Sequence, residues 1–128
     1  MSLYRALLVD DELDFISTLA ERLQMRNVQA DVATDGYEAL EFIENNEPDI
    51  VLLDVMMPGM TGLDVLAQVK RKYPAIQVLL LTGRGGSQEG IEGMRLGAFD
   101  YMAKPIKLEE LLEKMNRALQ SSQENNDE

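Results

Sequence analysis

The sequence predicts an α/β domain in which a parallel sheet is sandwiched between helices. Three observations point there. Ile50, Val51, Leu52 and Leu53 make an unbroken apolar, partly β-branched run closed by a single carboxylate, Asp54, and stopped by Met57-Pro58-Gly59. Such a run, with no polar alternation, is a strand covered on both faces; a buried helix would need a longer run and a later stop. Strand-like and helix-like patterns then alternate about five times without an internal repeat, which calls for right-handed crossovers and parallel strands. Finally, 128 residues make one domain by length, able to bury roughly two-thirds of its unfolded surface.

The elements follow in order. Residues 4–9 (YRALLV) are an apolar strand running into Asp10, Asp11 and Glu12. Leu13, Ile16, Leu19, Ala20 and Leu23 recur at spacings of three and four, the apolar face of a helix closed by Asn27. Gln29–Ala33 is short and alternating, an edge-like strand, and Thr34-Asp35-Gly36 supplies a turn with capping residues. Ala39, Leu40 and Ile43 mark a second helix ended by Asn45-Asn46 and Pro48, before the central strand Ile50–Asp54. Thr61 or Gly62 starts a third helix, with Leu63, Leu66, Val69 and Tyr73 on its buried face and Pro74 beyond its end. Residues 77–81 (QVLLL) form a fully apolar strand ending at Thr82. In the glycine-dense region that follows, Ile91 and Met94 indicate a short helix. Gly90 and Gly93 lie inside it at about 1 kcal/mol each relative to Ala, so it is expected to be short or irregular and mobile. Residues 98–103 (AFDYMA) are the fifth strand, ending in Lys104-Pro105, and Leu108, Leu111, Leu112, Met115 and Leu119 make a last amphipathic helix. The domain is expected over residues 1–120, with 121–128 (SSQENNDE) a polar, frayed tail or truncated linker.

Composition excludes several chemistries. The chain has no Cys and no His, which removes disulfides, thiolate metal sites, Ser-His triads and imidazole ligands. The net charge of −11, from 23 acidic and 12 basic residues, argues against binding nucleic acid or anionic lipid directly. No apolar run approaches the ~20 residues of a membrane span, and the N-terminus runs straight into a strand rather than a signal peptide. A soluble cytoplasmic protein is the expectation.

Four strands end in reactive polar residues: Asp10 and Asp11, Asp54, Thr82 and Lys104. A lone Asp after a strand is ordinarily a helix cap or turn. In a parallel sheet, however, all carboxyl ends share one edge, where ligands bind in open α/β folds. Three carboxylates gathered there repel one another. Lys104 can neutralise one and a hard divalent cation the rest; oxygen-only ligands favour Mg²⁺ or Mn²⁺ over Zn²⁺. Since Mg²⁺ usually combines carboxylates with phosphate oxygens, a phosphate is the natural further ligand.

With LLVDDE (Asp10, Asp11), IVLLDVMMPGMTG (Asp54), LLLTG (Thr82) and GAFDYMAKP (Tyr101, Lys104, Pro105), the chain resembles the receiver domain of two-component response regulators over about residues 4–120. The resemblance implies a flavodoxin-like, doubly wound fold with sheet order 2-1-3-4-5 and five helices on both faces. It implies a signalling domain, not a dedicated enzyme. Asp54 would accept a phosphoryl group from a phosphohistidine on a sensor histidine kinase or phosphotransfer protein. Asp11, Asp54 and the Met56 main-chain carbonyl would bind Mg²⁺ directly, and Asp10 through water. Lys104 would contact the Asp54 carboxylate, Thr82 would bond a phosphoryl oxygen, and Tyr101 would follow as an aromatic switch. The Lys104–Pro105 bond would be cis, and the face of the fourth helix, fifth strand and fifth helix would carry the output or a homodimer contact.

Two positions depart from a fully polar site. Met56, two residues after Asp54, is apolar where an amide could orient water, and Arg84 places a cation near the site mouth; both are otherwise plain solvent-facing residues. Met56, Met57 and Met60 are expected to pack at their loop. Other functions make different demands. An aspartyl-nucleophile phosphohydrolase generally has a second Asp where Met56 stands, and a flavodoxin-like redox protein needs a Ser/Thr/Gly-rich loop where Asp10-Asp11-Glu12 would repel phosphate. A non-phosphorylated pseudo-receiver would lack part of the set present here.

Overall fold

A computed structural model of the chain describes residues 4–83 and 87–126, with side chains for 4–83 and 88–122. Strands and helices alternate: β1 (Arg5–Val9), α1 (Leu13–Gln24), β2 (Gln29–Ala33), α2 (Gly36–Asn46), β3 (Ile50–Asp54), α3 (Gly62–Lys72), β4 (Gln77–Thr82), α4 (Ser87–Arg95), β5 (Asp100–Ala103) and α5 (Leu108–Asn126). Every strand pair is parallel and the sheet order is β2-β1-β3-β4-β5, as the resemblance implies.

Side chains alternate across the strands, so the sheet has two cores. Ala6, Leu8, Ile50, Leu52, Leu79 and Leu81 face α1 and α5, meeting Ile16, Leu23, Leu111 and Met115. Leu7, Val9, Val51, Leu53 and Leu80 face the opposite layer, with Ile43 of α2 and Val65, Leu66 and Val69 of α3. All five residues of β3 are buried, which is why its sequence shows no alternation.

Local chemistry sets the element ends. The Asp35 carboxylate caps α2 by accepting the Glu38 N–H, and Thr61 with Asp64 forms a capping box on α3. Helix α1 ends in a Schellman motif: Val28 N–H bonds Leu23 O, Asn27 N–H bonds Gln24 O, and Asn27 takes φ 69°. Gly97, at φ 108°, closes α4 the same way, with Ala98 N–H on Gly93 O and Gly97 N–H on Met94 O. Lys70 extends beneath this turn. Its ammonium donates to the carbonyls of Pro74 (3.1 Å) and Ile76 (2.8 Å), and its stem packs on Gly97.

Three sequence expectations are corrected. Strand β1 begins at Arg5, and β5 begins at Asp100 because the turn at Gly97 that closes α4 takes up Ala98. Residues 121–126, expected as a polar frayed tail or truncated linker, continue α5 as helix, since nothing after Leu119 breaks it. The glycines of α4 have a packing role that their propensity conceals. A Cβ on Gly93 would lie 1.9 Å from Leu80 Cδ1, and one on Gly90 would lie 2.6 Å from the Tyr101 ring. They let α4 sit close against β4 and β5. Among the described residues it spans nine, the fewest of any helix, as expected of a short one.

Candidate functional site

Strand register assembles the site. Asp54 pairs with Leu81 and Thr82 with Ala103, so Asp54, Thr82 and the residue after β5, Lys104, reach one edge. Asp10 joins them from the end of β1. It is fully buried, and its Oδ1 accepts the Glu12 N–H at 2.9 Å. Asp54 is 4% exposed. Asp10, Asp11 and Asp54 each present a carboxylate oxygen, all within 4.8 Å of one another.

Lys104 is drawn toward the β1–α1 loop. Its Nζ lies 2.8 Å from Asp10 Oδ2 and 3.0 Å from Glu12 Oε1, but 4.0 Å from Asp54 Oδ1, and it sits over the Phe15 ring at 4.9 Å from the centroid. The expected contact with Asp54 is therefore the longest of its three carboxylate contacts. Asp10 Oδ2 has no hydrogen-bond donor in line with it, so its contact with Lys104 is one of charge. Sequence reasoning missed Glu12 in this role. The only signal was its place in the Asp-Asp-Glu run, where it passes for a first-turn acid of α1.

Burial raises the Asp54 pKa from 3.8 to about 6, with the Asp10 charge adding to it; Lys104, the Met56 N–H and Asp11 act more weakly. For Lys104, burial opposes the charge, yet its contacts with Asp10 and Glu12 and the charge of Asp54 together hold it above the ordinary lysine value.

The remaining expected residues have separate surroundings. Thr82 is buried, and its hydroxyl donates to Met102 O at 3.4 Å. The half-buried Tyr101 ring lies against Gly90 of α4. The Met56 side chain is 69% exposed whereas Met57 is in the core, and Met60 packs over Gly36. The expectation of a packed Met cluster thus holds for two of the three. Arg84 lies outside the described residues. The Lys104–Pro105 bond is cis, as implied.

The donor set suits a hard divalent cation: three carboxylates converge without nitrogen or sulfur ligands, and two of them, Asp10 and Asp54, are buried. Charge crowding of this kind, beside a lysine at a sheet edge, is chemistry for binding and transferring a phosphoryl group.

Residues 6–116 match the family model of the response regulator receiver domain, and the chain belongs to that family. It is thus a receiver domain of two-component response regulators. Over 115 residues it is 42% identical to response regulator MprA of Mycobacterium sp. (strain KMS), covering 90% of this chain and 50% of that protein. Against MprA of Mycobacterium ulcerans (strain Agy99), identity is 39% over 124 residues, or 97% of this chain and 53% of that protein. The chain spans about half the length of these response regulators. Among solved structures, the receiver domain of NtrX from Brucella abortus aligns with TM-score 0.86 at 32% identity, covering 90% of this chain and 98% of that one. A response regulator receiver domain protein from Clostridium thermocellum aligns with TM-score 0.90 at 29% identity, over 94% and 97%. Among the described residues no helix is long and apolar enough to cross a membrane.

Proposed function

We propose that Asp54 accepts a phosphoryl group from a phosphohistidine on a sensor histidine kinase or phosphotransfer protein, in a reaction that requires Mg²⁺ or Mn²⁺. The observation that carries this reading is the buried Asp54 carboxylate, gathered with Asp10 and Asp11 within 4.8 Å and facing Lys104 at 4.0 Å. The Asp54 oxygen attacks phosphorus; the O–P bond forms as the P–N bond breaks, and that electron pair returns to the donor imidazole. Asp10, Asp11, Asp54 and the Met56 main-chain carbonyl would hold the cation, which when bound would supply charge neutralisation for the phosphoryl oxygens. Lys104 moves onto one of those oxygens, and Thr82 exchanges its 3.4 Å bond to Met102 O for a shorter, charge-assisted one. Tyr101 and the α4-β5-α5 face respond, because contacts that differ between the two states shift their populations. That face presents exposed Ile91 and Met94 and is the surface for output or a homodimer. The domain promotes its own phosphorylation and dephosphorylation, a signalling role.

Incubation with Mg²⁺ and acetyl phosphate is expected to add the mass of one phosphoryl group; a folded chain that stays unlabelled overturns the reading. No observation among the described residues favours the phosphohydrolase, flavin or non-phosphorylated alternatives.

Two further results are expected. Mg²⁺ at about 100 times its dissociation constant should stabilise the fold by about 2.7 kcal/mol at pH 7.5. The gain should shrink as pH falls through about 6, where Asp54 takes up a proton; a pH-independent melting shift would contradict this. Met56→Asn should hasten acyl-phosphate loss several-fold at saturating Mg²⁺, because an amide on this exposed position two residues after Asp54 can hydrogen-bond and orient a water that the thioether cannot. Equal or slower dephosphorylation in the mutant counts against that.

A further inference from the structure

We propose that Glu12 is a positioning residue that restrains Lys104, competing with the phosphoryl group on Asp54 for its ammonium and so slowing phosphorylation. The inference rests on the phosphoacceptor reading of Asp54. Lys104 Nζ is nearly 1 Å closer to Glu12 Oε1, at 3.0 Å, than to Asp54 Oδ1, at 4.0 Å. To bond a phosphoryl oxygen it must leave this position for one within normal hydrogen-bond reach. Of the two carboxylates closest to it, Asp10 belongs to the cation-binding group and Glu12 does not. When a cation draws on Asp10, Glu12 is the anionic partner left to hold Lys104 on the β1–α1 loop, with the Phe15 ring beneath.

Glu12 is also dispensable to the fold. Its side chain is 66% exposed, and although it stands at the N-cap of α1 it makes no side-chain cap bond. An exposed carboxylate exerts a weak, salt-screened pull, so the restraint modulates the rate without abolishing it.

The test is phosphorylation by acetyl phosphate, followed with rising salt, for wild type, Glu12→Gln and Glu12→Asp at saturating Mg²⁺. Glu12→Gln is expected to be about two- to fivefold faster at low salt and to lose most of the salt dependence, with an unchanged melting temperature. Glu12→Asp, one methylene shorter, should behave like Gln. A slower Gln variant, or one matching wild type at every salt concentration, overturns the restraint while leaving Asp54 as acceptor. If no variant, wild type included, takes up label or binds beryllofluoride with Mg²⁺, the phosphoacceptor reading itself fails.

Discussion

Asp54→Asn is expected to abolish labelling by acetyl phosphate and, without divalent cations, to make the fold more stable at neutral pH. The two effects share one cause. The carboxylate that would attack phosphorus is held in a buried place beside Asp10 and Asp11, and its pKa is raised from 3.8 to about 6. A folded-state value above the unfolded one means that folding favours the protonated form. The stability contributed by this group is therefore complete below pH 3.8 and lost as pH rises through about 6. At pH 7 the ionised wild type lacks it, whereas a neutral amide of the same shape carries no such penalty. The variant should gain on the order of 2–3 kcal/mol at pH 7, a gain that fades to nothing near pH 4. Urea midpoints measured in chelator across this range test it directly. Equal stability of the two proteins at pH 7 would show that the acidic cluster imposes no strain on the fold.

Gly62→Ala should be the most damaging small substitution near the site. The added Cβ would stand 2.2 Å from Asp54 O, 2.8 Å from Val55 Cα and 2.9 Å from Asp54 C. All three are backbone atoms of the segment that carries Asp54, so no side-chain rotation relieves the clash. The start of α3 must retreat, breaking the bond from Gly62 N–H to Val55 O and shifting Asp54. A loss of about 2–3 kcal/mol is expected, together with weaker stabilisation by Mg²⁺. Gly59→Ala serves as the contrast. Gly59 has open space around it but a φ of 76°, so its cost is backbone strain of about 1–2 kcal/mol with Mg²⁺ binding retained. Similar losses of Mg²⁺ binding in both variants would deny Gly62 its particular place behind Asp54.

The sequence carried the fold and most of the site because both depend on where apolar runs stop. Burial on both faces of β3 requires five inward residues, and parallel strands deliver their terminal side chains to one edge. Residues whose role depends on three-dimensional closeness were less legible. Glu12 stands 92 positions from Lys104, and an exposed acid at a helix start has an adequate local explanation. Gly90 and Gly93 read as a propensity cost because the Tyr101 ring and Leu80, which need the missing Cβ atoms, come from other elements. The end of α5 is hard to see in the sequence because the helix continues past its last apolar position, Leu119, to Asn126, with nothing to break it.

The Lys70 staple has a mechanical consequence. By tying the carbonyls of Pro74 and Ile76 to the end of α3 while its stem braces the Gly97 turn, it fastens α3, β4 and the α4–β5 junction at the rim opposite Asp54. A layer pinned along its bottom edge tilts rather than slides. Movement at the Asp54 edge would then be expressed at the far ends of these elements, with Lys70 as the fixed point.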